Sequence, residues 1–483
     1  MDDDRGGAVG RCGSWEMADA AEVSSSELVG RSLGAAALQV VVSHCLREGI
    51  GCDPEIRKNL QLVSLTICAA CRDSAVLCVR VDTLSPLLFA RAYRSRVPTL
   101  RALGMILEHS LEPLSPPIVL LEGLRCLTFS GDFDLPVDRV AWPSTVEELS
   151  VGGRFNQPVH RVAWPPRLRK LGFGAFFNQP VEGVTWPTSL RTLTFRREFD
   201  RPIAGAKWPA SLQELTFGLL FNQPLVGVAW PATLKKLSFG MSFNRPIVGV
   251  PWPDSLEELT FGQCFDQSIV GVVWPASLQQ LSLGAFFNEP VLGVEWPAML
   301  RKLSSCRSFD QPIVGVIWPD SLQHLSFGSR FKQPIVGVNW PVSLRTLSFG
   351  KYFNQPIDGV EWPASLQRLS FGSEFNRPIS GVQWPRSLRQ LSFGSRFNKP
   401  ISGVAWPDSL QELSFGNEPA FGCGGDLFSD SMLGLMFGAT LGEAFDRKPL
   451  ADVVWPDALR RLSIHGEDIV LEGSEHGGIR ARV

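Results

Sequence analysis

W-P-A-T-L-K-K-L-S-F-G-M-S-F-N-R-P-I-V-G-V-P, residues 230–251, runs without a gap into W-P-D-S-L-E-E-L-T-F-G-Q-C-F-D-Q-S-I-V-G-V-V, residues 252–273. The two segments agree at almost every apolar and glycine position and differ where the residues are polar. The same Trp-Pro pair returns every 22 residues from Trp142 to Trp406. An interval that never slips means that each unit is one coil stacked on a near-copy of itself, because an insertion would break the register of the shared core. The chain is a repeat solenoid before it is anything else.

Degenerate copies extend the array. One step before Trp142 lies Leu120, followed in frame by Leu124, Leu127, Phe129 and Phe133; one step beyond Trp406 lies Phe428, with Met432, Leu435 and Phe437 in frame. A last Trp-Pro stands at Trp455, five residues late. Counted this way the array holds about sixteen coils, from Leu120 to the coil that begins at Trp455. Pro98 to Leu114 resembles a still weaker copy, one position out of frame.

Numbering each unit from its Trp as zero, leucines stand at +4 and +7 and phenylalanine at +9. This is the L-x-x-L-x-L pattern of a leucine-rich-repeat strand, with +7 and +9 inward and +6 and +8 outward. Glycine at +10, as in Gly240 and Gly350, ends the strand. The return holds Phe at +13, Asn or Asp at +14, Pro at +16, Ile or Val at +17, Gly at +19 and Val at +20. Proline and glycine punctuate it too often for a helix. The expected fold class is therefore a mainly β, leucine-rich-repeat-like solenoid with a small helical N-terminal region.

The +14 column, Asn156, Asn178, Asn222, Asn244, Asn288, Asn354, Asn376 and Asn398, is expected to form an internal structural ladder that satisfies backbone groups left open by the turns. Asp200, Asp266 and Asp310 can accept the same bonds. Lys332 cannot, which marks that coil as a weak point. Ser305-Cys306, in place of the usual Phe-Gly, marks a second.

Composition bounds the rest. A net charge of −2 gives no global attraction to nucleic acid or anionic membrane. The longest apolar run, Leu33 to Leu46, is too short and too polar to span a bilayer, and no signal-peptide pattern opens the chain, so an intracellular, cytoplasmic protein is expected. Five of the ten cysteines fall between Cys45 and Cys78. Cys68-x-x-Cys71 has metal-ligand spacing, yet it sits in an apolar run without a second tight pair, so buried thiols are expected and no metal or cofactor. The implied organisation is a disordered tail over 1–30, a helical region over 31–115, the solenoid over 116–467 and a C-terminal tail over 468–483.

Phe353-Asn-Gln-Pro-Ile357, with close variants at Phe221 to Leu225 and Phe177 to Val181, resembles the FNIP repeat, a 22-residue relative of the leucine-rich repeats. That resemblance implies a protein-binding role, and FNIP arrays often follow an F-box. Ala37 to Leu46 followed by Asn59 to Thr66 has the order of an F-box but lacks its opening Leu-Pro and late Trp. It is either an F-box-like segment that docks a ubiquitin-ligase adaptor or a cap over the first coil.

Binding chemistry is expected where the coils vary. The outward positions +5 and +6 carry the candidate partner face: Arg169, Lys170, Arg191, Lys235, Lys236, Glu257, Glu258, Arg301, Lys302, Arg345, Arg368 and Arg389. The later half is basic. The return side around Gln355, Arg377 and Lys399 is the second choice. Isolated histidines, His160 and His324, and the lack of a recurring carboxylate pair or phosphate loop give catalysis no foothold. Hence the sequence points to a non-catalytic protein scaffold, with a ligase substrate-recognition subunit as first alternative. Nucleic-acid binding by a basic stripe comes second, because Glu257, Glu258 and Glu412 interrupt the stripe.

Overall fold

The computed structural model describes residues 77–81, 103–107, 124–129, 131–304, 307–416, 453–464, 467–469, 471–473 and 479–481. Every coil contributes one short strand to a single parallel sheet. The sheet starts with β1 (Leu77–Val81), β2 (Leu103–Leu107) and β3 (Leu124–Phe129), and continues from β4 (Glu148–Ser150) to β16 (Glu412–Phe415) and β17 (Arg461–Ile464). From β4 to β16 each residue pairs with the one 22 positions on, as in Glu148↔Lys170 and Gln280↔Lys302. Antiparallel β18 (Glu467–Ile469) covers the C-terminal edge, and β19 (Leu471–Gly473) pairs separately with β20 (Ile479–Ala481).

Three tight turns bend each coil back to its start. In residues 230–251, the Leu234 N–H donates to the Pro231 carbonyl at 3.1 Å, Phe243 to Gly240 at 3.3 Å and Val250 to Ile247 at 3.3 Å. The third turn places Gly249 at φ 78°, the left-handed third residue of a type II turn, where a Cβ is strained. Glycine at +10 has a different cause. A Cβ on Gly262 would lie 1.6 Å from the Gly240 carbonyl oxygen of the preceding coil, so close stacking excludes a side chain there.

The inward positions fill the core as the spacing predicts. Leu234, Leu237, Phe243 and Ile247 are fully buried, and Phe239 and Val250 nearly so. The +13 phenylalanines form one stack from Phe133 to Phe397; Phe155 and Phe177, for example, lie 6.0 Å apart and 7° from parallel. Each of these side chains contributes on the order of 1.5–3 kcal/mol before entropy, and only the neighbouring coil can cover it. The tryptophans line one corner, with Trp384 stacked at 6.4 Å on both Trp362 and Trp406. Among the described residues their buried indole Nε1 atoms have no hydrogen-bond partner, and what the column contributes there is apolar area.

Side chains add two ladders to the sheet. At +14, the backbone N–H of each coil donates to the amide or carboxylate oxygen of the coil before, as in Asn178 N to Asn156 Oδ1 at 2.9 Å and Asn222 N to Asp200 Oδ1 at 2.9 Å. Asn244, Asn288, Asn376 and Asn398 stand in the same register. The Lys332 N–H donates to Asp310 Oδ1 at 3.0 Å, but its side chain offers no acceptor to the next coil, so Asn354 starts a new run with its N–H unpaired among the described residues. At +3, a column the sequence reading passed over, Ser or Thr hydroxyls donate to the +4 carbonyl of the preceding coil, as in Ser255 to Leu234 at 2.7 Å.

Two expectations need correction. The regular array amounts to about thirteen turns, those opening at Trp142 through Trp406, and not sixteen. Glu412 of β16 pairs directly with Arg461 of β17, and Trp406 stacks on Trp455 at 6.3 Å, so no coil opening at Phe428 stands between them. At the other end, the Leu120 copy supplies β3 without a Trp-Pro turn. The helical N-terminal region over 31–115 is not supported: no helix occurs among the described residues, and those described in that range are the parallel strands β1 and β2. Alternation of Leu77, Val79 and Val81 is strand periodicity. The tail over 1–30, the F-box-like residues 37–66, Cys68 and Cys71, and Ser305-Cys306 lie outside the described residues.

Replacing Lys332 by Asn should restore the missing acceptor for the Asn354 N–H. The expected outcome is a gain of about 1 kcal/mol, read as a higher urea midpoint. An unchanged midpoint would mean that water already satisfies that group.

Candidate interaction face

The strand side of the array carries the variable columns. Residues at +5 and +6 are anchored by backbone bonds to the coil before: the Lys235 and Lys236 N–H groups both donate to the Gln213 carbonyl, at 2.8 and 3.0 Å. Their side chains therefore project in fixed rows, one row per coil. All twelve candidate residues lie in these two columns, exposed apart from the half-buried Glu257 and Glu258.

Register divides them into two groups. In the first, charges neutralise one another across neighbouring coils: Lys170 reaches Glu148 at 2.8 Å, Arg169 Glu147 at 3.4 Å, Lys235 Glu257 at 2.9 Å and Lys236 Glu258 at 3.1 Å. Hydrogen bonding to Glu148, then its charge, raises the Lys170 pKa above the usual lysine value, and Glu258 does the same for Lys236. Exposed pairs like these add little stability and leave little net field.

The second group has no acidic residue in its own two columns. Between Glu258 and Glu412 the two columns hold Gln, Thr, His324 and the cations Arg301, Lys302, Arg345, Arg368 and Arg389, with no Asp or Glu. At +5 the order is Gln279, Arg301, Gln323, Arg345, Gln367, Arg389 and Gln411, an arginine on every second coil. With strands about 4.8 Å apart, those guanidinium groups repeat at roughly 9.6 Å. Beside them run the +8 serines, of which Ser348 and Ser370 are buried and joined, Ser370 Oγ donating to Ser348 Oγ at 2.9 Å. His324 senses the field: desolvation on the strand face lowers its pKa most, and the charges of Lys302, Arg368 and Arg345 lower it further.

The second-choice return side is already engaged within the fold. Gln355 Nε2 donates to the Lys332 carbonyl at 2.6 Å and Arg377 Nε to the Asn354 carbonyl at 2.8 Å. Residues at +15 thus cap carbonyls that the +14 ladder leaves open, which the sequence reading did not foresee. Among the described residues no group of three His, Cys, Asp or Glu side chains is placed to hold a metal, and no helix is long and apolar enough to cross a membrane.

The FNIP Repeat family profile matches residues 177–220, 221–264, 309–352, 353–391 and 375–418. Among solved structures, the circular leucine-rich-repeat protein CroV588 is 31% identical, over 75% of this chain and 56% of that one, with a TM-score of 0.59. The chain thus spans little more than half the length of that protein. An internalin from Listeria monocytogenes is 14% identical over 60% of this chain and 86% of its own, with a TM-score of 0.39. Toll, in its Drosophila complex with Spatzle, is 11% identical over 80% of this chain and 55% of that one, at 0.48. No curated protein matches in sequence.

For His324 the sign of the pH effect follows from its lowered pKa. The folded chain binds its proton less readily than the unfolded chain, so the stabilising difference is full above the ordinary histidine pKa and is lost as pH falls below it. Proton titration by NMR should place His324 below the ordinary value, and R345E should move it up. High salt should recover only part of the shift, because desolvation is the larger cause. A titration at the ordinary value would contradict the field described here.

Proposed function

From the premise that this chain is an array of FNIP repeats, we propose that it is a non-catalytic scaffold that binds an extended acidic segment of another protein along the sheet face from Arg301 to Arg389. The observation that carries this reading is the block of five coils whose two outward columns hold cations and no acid. The same columns in earlier coils pair Lys with Glu, so the fold does not require an unbalanced charge there. Alternating Arg and Gln at +5 offers bidentate donors for carboxylates, with amides between them for peptide groups. An extended chain advances about 10 Å in three residues, which matches the arginine repeat. No Phe, Tyr or Trp stands in columns +5, +6 or +8, so the large platforms on which successive bases stack are missing, which favours protein over nucleic acid.

The reading is tested by reversing charge at exposed positions. R301E/K302E/R345E should leave thermal stability within about 0.5 kcal/mol of the parent, as for other exposed substitutions. It should abolish capture of acidic partners from a lysate of the source cell and binding of a poly-glutamate probe. Reversal of the self-paired Lys235 and Lys236 should leave both intact. Equal loss from the two variants, or none from either, would overturn the assignment of the face.

A further inference from the structure

At +18, the second residue of the type II turn, a column of apolar side chains stands out in solvent. Val226, Val248, Val270, Leu292, Val314 and Val336 are exposed by 42–64% on six successive coils. The turn accepts almost any residue at that place. Other coils use it for Glu182, Asp358, Ser380 and Ser402 with the same positive-φ glycine after it, so folding is not the reason for the apolar block. Exposed prolines two positions earlier, such as Pro246 and Pro312, widen it. The stripe is about 24 Å long at 4.8 Å per coil and on the order of 500 Å² before the prolines, the size at which an apolar patch marks an interaction site.

The charges at its ends identify the occupant. Beyond Val226 come Lys207 and Arg201, then Glu182; beyond Val336 come Asp358 and Glu361, then Arg377. All six are exposed and none has an ion-pair partner within the described residues; Arg201 and Arg377 each spend only the Nε donor on a carbonyl of the preceding coil, which leaves their terminal guanidinium nitrogens for an acid. A two-fold axis between Val270 and Leu292 would set the stripe against itself in antiparallel order. It brings Lys207 to Glu361 in the same column, and sets Arg201 level with Asp358 and Glu182 level with Arg377 in adjoining columns, each at the same number of coils from the axis. Isologous contacts require this self-complementarity, and a parallel arrangement would oppose like charges at every pair.

We propose that the +18 stripe is a self-association surface through which two copies of this chain pair antiparallel. The surface lies across the third turn, away from the sheet face, and is independent of what that face binds. The pairing leaves both basic faces free, so the dimer would be bivalent for a partner.

Sedimentation velocity of the full chain from about 1 to about 100 µM, the range of moderate protein association, should show a monomer–dimer equilibrium. Val270→Lys should leave a monomer with an unchanged circular dichroism spectrum, because the side chain is exposed on a turn. Lys207→Glu should weaken pairing about tenfold or more by facing Glu361 with a like charge, and Lys207→Glu with Glu361→Lys should restore it. A chain that stays monomeric throughout, a dimer that survives Val270→Lys, or a double reversal no better than the single one would each overturn the proposal. So would a different protein bound on the stripe of a monomeric chain.

Discussion

Every coil depends on its neighbour for backbone hydrogen bonds, and this governs the rest of the structure. A three-residue strand has no ladder of its own; the Lys236 N–H is satisfied by Gln213 of the coil before, and the Phe239 N–H by Thr260 of the coil after. Buried backbone groups must be paired, so each coil must present the same groups at the same height as the last. That condition fixes the length at 22 residues and forces like side chains into columns. The Phe stack, the Trp corner and the close approach at +10 follow from translation by one coil, since a residue that fits once then fits at every step.

Much of this was legible in the sequence because the condition acts on every copy. Leu, Phe, Ile and Val at +4, +7, +9, +13, +17 and +20 could be assigned to the interior from spacing alone, and they are there. What spacing could not supply was the direction of polar groups. The +3 hydroxyl and the +15 cap were visible as recurring letters, but their acceptors belong to carbonyls of the preceding coil, whose aim only coordinates reveal. On the candidate face, alternating signs were plain. That Lys235 meets Glu257 while Arg301 to Arg389 have no acid in their columns required the register. The ends of the array were read least well. Leu77–Val81 alternates as a strand does yet lacks the Trp-Pro and Gly marks, so the 22-residue frame did not reach it, and Leu103–Leu107 showed only within a weak copy one position out of frame.

An array of near-identical coils supplies its own controls. Where a position changes character in a block while the backbone repeats unchanged, folding is not the cause of the change. Two such blocks occur, the cations at +5 and +6 from Arg301 to Arg389 and the apolar residues at +18 from Val226 to Val336. They lie on different sides of the coil and overlap over only two units. A charged block discriminates by complementarity and an apolar block contributes affinity through area, so the two surfaces suit different partners.

Nearest-neighbour coupling makes a repeat array vulnerable at its weakest interface, and the defects here are distributed accordingly. Where Lys332 breaks the +14 ladder, the interface with the next coil keeps its +3 bond, with Ser343 Oγ donating to the Leu322 carbonyl at 3.1 Å. Where Met299 removes the +3 hydroxyl, that coil keeps its +14 bond, with Asp310 N donating to Asn288 Oδ1 at 2.8 Å. Both coils keep their parallel strand pairing on either side. Besides the strand pairing and the two ladders, +15 caps and a backbone bond at +12, such as Ser242 N–H to the Leu219 carbonyl at 2.8 Å, cross between coils, so a coil that loses one set retains the others. A repeat can therefore diverge at single ladder positions without opening the stack, but a coil that lost both side-chain ladders would rest on its backbone bonds and apolar columns, and there the array would first come apart.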